Sequence, residues 1–459
     1  MAQIPQGWHR FSPTIPMPVT PARAAAFEIL LRVERDNSYA SELLHSDRNA
    51  KLSPADHGLA TELVMGVLRW RSVLDQRLAA ASSQKLERLD LEVLTALRLG
   101  MYQLMFLSRV PARAAIFETV ELAKTARKRS AAPFVNAVLR KASANQPDLV
   151  TGMQDAIDEK TLVANSAHPD WLVARWTERY GLAAARQICT HDQTVPATAI
   201  HVQDDLTADE LAHDGIQLSP GQLLTRARRV RSGDVTKTRA YREGRASIQD
   251  EASQLVALLV GRGEKILDCC AAPGSKTQFL ARRNPQAKVF ATDLHPHRAR
   301  LLRELTDSPN VRVLAADARH LPLNPGFDRI LADVPCSGTG TLARNPEIKW
   351  RLQLEDFFDL QSRQAAILKS ALAHLAPGGR LVYSTCSLER EENEVVVETI
   401  LAEAREFKLI DCRPHLDQLQ RSDELAWKDL DSLVSGPYLR TLPGVHLCDG
   451  FFAAIIERN

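Results

Sequence analysis

Two cysteines stand where side chains can do chemistry: Cys336 in Asp333-Val334-Pro335-Cys336-Ser337-Gly338, and Cys386 in Tyr383-Ser384-Thr385-Cys386-Ser387. Each follows a short apolar run that predicts a strand. In an open parallel sheet the carboxyl ends of the strands line the ligand crevice, so both thiols can face one substrate. Two thiols beside a carboxylate suit a reaction that adds to an electron-poor ring and then eliminates. An isolated free cysteine is more often a small apolar filler of the core. The motifs around these two argue against that reading.

A second constellation surrounds the first. Asp268-Cys269-Cys270-Ala271-Ala272-Pro273-Gly274-Ser275-Lys276-Thr277 follows a predicted strand and opens a predicted helix. Small residues let backbone approach a ligand, and a helix N-terminus offers N–H donors. The stretch is neither a G-x-G-x-x-G fingerprint nor a P-loop. Asp293 ends the next predicted strand, Asp317 the third and Asp333 the fourth. An acidic side chain at the second strand end can accept bonds from both ribose hydroxyls of a nucleoside. Any one such Asp is commonly a helix cap; all three, in register with the small-residue loop, predict a site for a nucleoside-bearing cofactor. Cys269 is expected to pack in the sheet, and Cys270 to lie in the cofactor loop.

The elements that must position these residues are α/β. From about residue 246, short apolar runs (KILDCC, KVFATD, VRVLAAD, FDRILADV, RLVYSTC) alternate with helical stretches such as SKTQFLARR, the pattern of a doubly wound sheet. Gly450 to Ile456 reads as a final buried strand. Residues 21–144 are helical instead, with apolar residues at three- and four-residue steps and with Pro54 and Pro111 near helix starts. Between them, 145–245 reads as a small α+β segment. The expected architecture is therefore multidomain: a helical bundle over 21–144, the connecting segment over 145–245, and a catalytic α/β domain over 246–459.

Composition is globular, and no apolar run is long enough to span a membrane, so no membrane partner is expected. The Pro-rich start, Met1 to Pro21, lacks the apolar core of a secretory signal. Seven cysteines without C-x-x-C spacing fit neither a zinc site nor a disulfide framework, so a reducing cytoplasm and no metal are expected. The net charge of +2 hides an asymmetry: residues 1–150 hold 20 Lys and Arg against 14 Asp and Glu, and residues 221–245 hold 8 against 2. Such clusters suit either a polyanion partner or a solvated face.

DCCAAPGSKT, DVPCSGTGT and YSTCSL, in this order, resemble the signature of the NOL/NOP/Sun family of S-adenosylmethionine-dependent RNA (cytosine-C5) methyltransferases. LVMGVLRWR, LRLGMYQL and PFVNAVLR resemble the NusB-like domain carried by its RsmB (Sun/Fmu) branch, which acts on 16S ribosomal RNA. The likeness covers nearly the whole chain. Ser275 departs from it, standing where the family usually has a second glycine. The resemblance implies a Rossmann-like methyltransferase domain, S-adenosyl-L-methionine as cofactor and small-subunit ribosomal RNA as partner. It implies Cys386 as nucleophile, Cys336 in product release and Asp333 on the cytosine ring nitrogen and amine; spacing alone leaves the two cysteines interchangeable. Cofactor contacts would come from Cys270, Ala271, Ala272, Pro273, Gly274, Ser275, Lys276, Asp293, Asp317 and Asp333. Arg344-Asn345-Pro346-Glu347-Ile348-Lys349-Trp350 combines cations with an aromatic that would either hold RNA or pack in the core. Nothing requires more than a monomer. Methylation of a base amine is disfavoured, because a cysteine occupies the place of that chemistry's stacking aromatic; the same chemistry on transfer RNA, and a non-catalytic RNA-binding factor, are the alternatives.

Overall fold

A computed structural model describes residues 19–143, 156–306 and 308–459. The Pro-rich start and the beginning of the connecting segment lie outside the described residues. The chain divides into two compact units, Met1–Asp148 and Leu149–Asn459.

The first unit is helical: α1 (Pro21–Arg35), α2 (Ala40–Leu44), α3 (Pro54–Ala81), α4 (Leu91–Phe106), α5 (Ala112–Thr125) and α6 (Ala132–Ala142). Ser53 caps α3 by accepting the Asp56 amide at 3.1 Å, and Pro54 occupies the first helical position, where a missing N–H does no harm. Helix α4 is apolar nearly all round and buries Val93, Ala96, Leu97, Leu99 and Met101, as a helix surrounded by others must. Its buried Arg98 is met by a two-pronged pairing with Asp75, both contacts at 2.7 Å.

The second unit holds two sheets. Strands β1 (Thr198–Val202), β2 (Gln217–Pro220), β3 (Ala227–Ser232) and β4 (Ala246–Ile248) form an antiparallel sheet in the order β2-β3-β1-β4. The larger sheet comprises β5 (Lys265–Asp268), β6 (Lys288–Asp293), β7 (Val311–Ala315), β8 (Phe327–Asp333), β9 (Leu375–Thr385), β10 (Phe407–Ile410), β11 (Val434–Ser435), β12 (Tyr438–Arg440) and β13 (Phe452–Arg458). Its order is β11-β12-β13-β9-β8-β5-β6-β7, with β10 also on β13. The run β9-β8-β5-β6-β7 is parallel, and β13 lies antiparallel on β9. Helices flank both faces, so the central strands are apolar on both sides: Ile266, Leu267, Ile330, Leu331, Leu381 and Val382 are all fully buried. From β5 the chain winds outward through β6 and β7, then returns to β8 on the other side of β5. The carboxyl ends of β5 and β8 therefore flank the topological switch point, where such sheets open a crevice. Among the described residues no helix is long and apolar enough to cross a membrane.

Candidate functional site

The crevice at the switch point gathers most of the residues singled out from the sequence. Asp268 closes β5 and Asp333 closes β8, while Cys386 follows β9 directly. The register sets Asp333 opposite Ser384, whose hydroxyl donates to Asp333 Oδ1 at 2.7 Å. Lys276, in the first turn of the helix Ser275–Arg283, reaches across from the loop after β5 and pairs through Nζ with Asp333 Oδ2 at 2.8 Å. Its ammonium also lies over the Phe451 ring, 5.3 Å from the centroid. Burial works against this cation, yet Asp333, and Cys386 beyond it, hold its pKa above the ordinary lysine value.

The two sulfurs meet: Cys336 Sγ and Cys386 Sγ are 3.2 Å apart, and both residues are half-buried. Contact with Cys386, burial and the nearby Glu392 charge together push the Cys336 thiol well above its ordinary pKa. Three stretches of backbone stack beneath the thiols. Gly340 N donates to Cys386 O at 2.9 Å, and Gly450 N donates to Gly340 O at 2.8 Å. A Cβ on Gly340 would lie 2.1 Å from Gly450 O, so only glycine lets the loop after Cys336 approach the loop after β9 this closely.

Sequence reasoning missed the group that joins the two cysteine loops. Glu392 is fully buried. Its Oε1 accepts from Ser337 N at 2.8 Å and Gln364 Nε2 at 2.9 Å, and its Oε2 accepts from the hydroxyls of both Ser337 and Ser387. Ser337 follows Cys336 and Ser387 follows Cys386, so one carboxylate ties both loops. Glu392 lies in the run Glu389-Arg390-Glu391-Glu392-Asn393-Glu394, which reads as a solvated charged face. The only signal in the sequence was a serine after each cysteine.

The loop Cys270 to Lys276 lets backbone come close to a nucleoside-bearing sulfonium cofactor. Ala271 N donates to Thr292 O at 2.8 Å, which seats the loop on β6. Gly274 has φ +120°, a conformation open to glycine, and a Cβ there would meet Leu302 Cδ1 at 2.6 Å. Ser275 is the first residue of the helix and needs no positive φ, so serine serves there. At the floor of the crevice Asp268 Oδ2 accepts from the Thr277 hydroxyl at 2.7 Å, while its buried Oδ1 finds no hydrogen-bond donor at bonding distance among the described residues. Burial, with Asp333 nearby, raises the Asp268 pKa to about 7 despite the Thr277 bond. Asp293 accepts the His295 amide through Oδ1 at 3.0 Å and sits at the end of β6 facing the same crevice. A tight loop at a helix N-terminus, an unpartnered buried oxygen and a strand-end carboxylate fit such a cofactor. Asp317 differs from the other strand-end carboxylates. It lies two residues past β7, caps the turn Ala318–His320, and both its oxygens are engaged by Arg319.

Two sequence-stretches behave differently from the polyanion-facing reading. In Arg344–Trp350, Arg344 pairs with Asp449 at 2.8 Å and Asp250 at 3.1 Å, Lys349 is buried and Trp350 is half-buried, so both cations are turned toward the protein. Within 221–245, Arg228, Arg229 and Arg245 pair with Asp205, Glu251 and Glu210. Arg226 instead donates to the Gln203 carbonyl, and no ion pair of it occurs among the described residues. Of the other cysteines, Cys269 is buried in the sheet as expected, and Cys270 is half-buried in the loop, its thiol pushed well up by burial.

Comparison with known proteins agrees with this architecture. Residues 255–457 match the family model of the 16S rRNA methyltransferases RsmB/F, and residues 20–144 match that of the NusB family. A Bacillus subtilis (strain 168) protein named probable ribosomal RNA small subunit methyltransferase B is 34% identical over 96% of this chain and 100% of its own length. The Vibrio cholerae ribosomal RNA small subunit methyltransferase B is 31% identical over 95% of this chain and 97% of its own. The crystal structure of PH0851 shares the fold, with a TM-score of 0.77 at 22% identity over 97% of this chain and 100% of that one. A methyltransferase homolog protein from Pyrococcus horikoshii superposes with a TM-score of 0.53 at 26% identity, over 65% of this chain and 97% of that one.

Proposed function

The chain belongs to the RsmB/F family of S-adenosylmethionine-dependent 16S rRNA methyltransferases, and from that premise we propose that it methylates carbon 5 of a cytosine in small-subunit ribosomal RNA through a covalent adduct of Cys386. The observation that carries this reading is the meeting of two thiols, 3.2 Å apart, beside the Lys276–Asp333 pair at the switch point.

Carbon 5 of cytosine is too weak a nucleophile to take a methyl group unaided. Cys386, as thiolate, adds to carbon 6; the ring's electron pair then makes carbon 5 enamine-like, one hard step divided into easier ones. Asp333, held by Ser384 and Lys276, would accept from the exocyclic amine and pass a proton to the ring nitrogen as carbon 6 is attacked. Lys276, whose own pKa Cys386 helps to raise, puts a cation beside the Cys386 sulfur. The raised pKa of Cys336 supports the same division of roles: one sulfur attacks while the other keeps its proton. Once carbon 5 carries the methyl group, a solvent water takes its proton, the electrons of that carbon–hydrogen bond restore the ring double bond, and the carbon–sulfur bond breaks with its pair returning to Cys386, Cys336 assisting release.

S-adenosylmethionine, held by the loop Cys270 to Lys276 and by Asp293, supplies an electrophilic methyl group when bound. Asp317 joins that set by sharing its carboxylate between Arg319 and the cofactor. The helical unit and Arg226, which donates to a backbone carbonyl, suit phosphate contacts that choose the site, since base chemistry alone does not distinguish one cytosine from another. The test is transfer of labelled methyl to unmodified small-subunit ribosomal RNA, followed by digestion to nucleosides. Label in 5-methylcytidine, lost in Cys386→Ser, is expected; label in any other nucleoside sinks the reading.

A further inference from the structure

The buried carboxylate between the thiol loops has no assigned part in this chemistry. We propose that Glu392 is a positioning residue, which fixes the spacing of the Cys336 and Cys386 loops and reserves the proton for Cys336 while Cys386 attacks. The proposal rests on the cysteine chemistry above.

Geometry is its ground. Glu392 receives four hydrogen bonds, from Ser337 N, the Ser337 and Ser387 hydroxyls and Gln364 Nε2, and Gln364 Nε2 also donates to Pro335 O at 2.9 Å. Every partner is a donor, and an ionised carboxylate is the acceptor-only group that such a set matches. No lysine or arginine pairs with it among the described residues; burial pushes its pKa up, and the bonds from Ser337, Ser387 and Gln364 oppose that rise. A hydrophobic plug of similar size would take a shared acceptor away from four buried donors, the Ser337 amide among them, which explains why the interior tolerates a carboxylate here. The backbone around it is held as firmly: the Tyr383 hydroxyl donates to Glu392 O at 2.6 Å, and Asn393 Nδ2 donates to Ser387 O at 2.9 Å.

The charges about the two sulfurs are unequal. Cys336 faces Cys386, the Glu392 carboxylate and the Tyr383 phenol; Cys386 faces Cys336 and the Lys276 ammonium, with Asp333 behind the latter. An anion on one side and a cation on the other make the sulfurs chemically distinct although they touch. Two equal thiols at this separation would share one charge and compete for one electrophilic carbon.

The test uses the full chain without RNA, then with it. Iodoacetamide alkylation of each cysteine, read by mass spectrometry of its peptide across pH, gives a reactivity midpoint for each sulfur. In the wild type Cys386 is expected to react at lower pH than Cys336. Glu392→Gln, which keeps size and removes charge, is expected to lower the Cys336 midpoint by about one pH unit or more. It also lowers kcat for methyl transfer by about tenfold or more while KM for RNA holds, because the lost interaction acts on the reacting groups. Should Glu392→Gln not fold, Glu392→Asp carries the test: withdrawn by one methylene, its carboxylate lowers the Cys336 midpoint by part of that amount. A Cys336 midpoint identical to wild type in the folded variant overturns the proposal. If instead the alkylation order depends on Glu392 but the wild type makes no 5-methylcytidine, the cytosine chemistry fails and the hold of Glu392 over the thiols stands.

Discussion

Gly340→Ala adds one methyl group at the point where the two cysteine loops and the loop before β13 are stacked backbone on backbone. The new Cβ would lie 2.1 Å from Gly450 O, 2.7 Å from Gly450 C and 2.9 Å from Cys386 O. All three are main-chain atoms, so no side chain can swing aside. Reaching even 3.0 Å, the floor for real Cβ contacts, requires the backbone to part by about 1 Å. That movement stretches two hydrogen bonds, Gly340 N to Cys386 O and Gly450 N to Gly340 O, each contributing about 1 kcal/mol. With overpacking of about 1–3 kcal/mol, the expected loss of stability is about 3–5 kcal/mol. In a domain of this size that lowers Tm by roughly 5–10 °C. Catalysis should suffer more, because the Cys386 carbonyl itself is displaced and a misplacement of about 1 Å costs about a hundredfold in rate. Single-turnover methyl transfer and a melting curve on the same preparation measure both. A folded variant with kcat within about twofold of wild type would refute the claim that this stacking positions Cys386.

Other perturbations separate local roles. Gly58→Ala, in α3 where a Cβ meets nothing within 4 Å, is the control for the same change; it should stabilise the helical unit by about 0.5–1 kcal/mol in denaturant titration. Gly274→Ala forces a side chain to φ +120° against Leu302 and should weaken cofactor binding, read by isothermal titration, while destabilising the fold by about 2 kcal/mol. Lys276→Met removes the charge-assisted bond to Asp333 and should lower kcat by about 10- to 100-fold, with cofactor affinity less affected. Asp268 has a folded pKa of about 7 against 3.8 in the unfolded chain, so the unfolded state releases a proton that the folded state retains. The group therefore costs stability increasingly as pH rises from about 4 to about 7. Asp268→Asn, which keeps the Thr277 bond without the charge, should flatten the fall of Tm between about pH 5 and about pH 8.

The sequence carried the parts of the site whose chemistry is local. A cysteine or aspartate placed after an apolar run belongs at a strand end, and parallel strands bring those ends to one crevice whatever else the chain does. Thus the strand-end places of Cys336, Cys386 and Asp333 and the loop to Lys276 were legible before any coordinates, whereas nothing in the sequence set Asp268 apart. Residues whose meaning depends on distant partners were not. Glu392 reads as one more charge in an acidic run, and only the packing of the helix Asp356–His374 and the two thiol loops around it turns that charge inward. The basic stretch 221–245 looked free because its acidic partners Asp205, Glu210 and Glu251 lie outside it. Arg344 suggested RNA contacts for the same reason, since its partners Asp449 and Asp250 are far away in sequence. Asp317 shows the reverse: its local capping role, the commonplace one for a strand-end aspartate, is the one its hydrogen bonds display.

The most direct test of the covalent chemistry uses small-subunit ribosomal RNA transcribed with 5-fluorocytidine. Fluorine at carbon 5 cannot leave as a proton does, so an enzyme that adds a thiolate to carbon 6 and methylates carbon 5 is caught before release. With S-adenosylmethionine present, the wild-type protein should form a complex with this RNA that survives denaturing electrophoresis, and peptide mapping should place the bond at Cys386. Cys386→Ser should form none, and Cys336→Ser should still form it. A complex mapped to Cys336, or methylation of ordinary cytosine with no complex on the fluorinated RNA, would contradict the account.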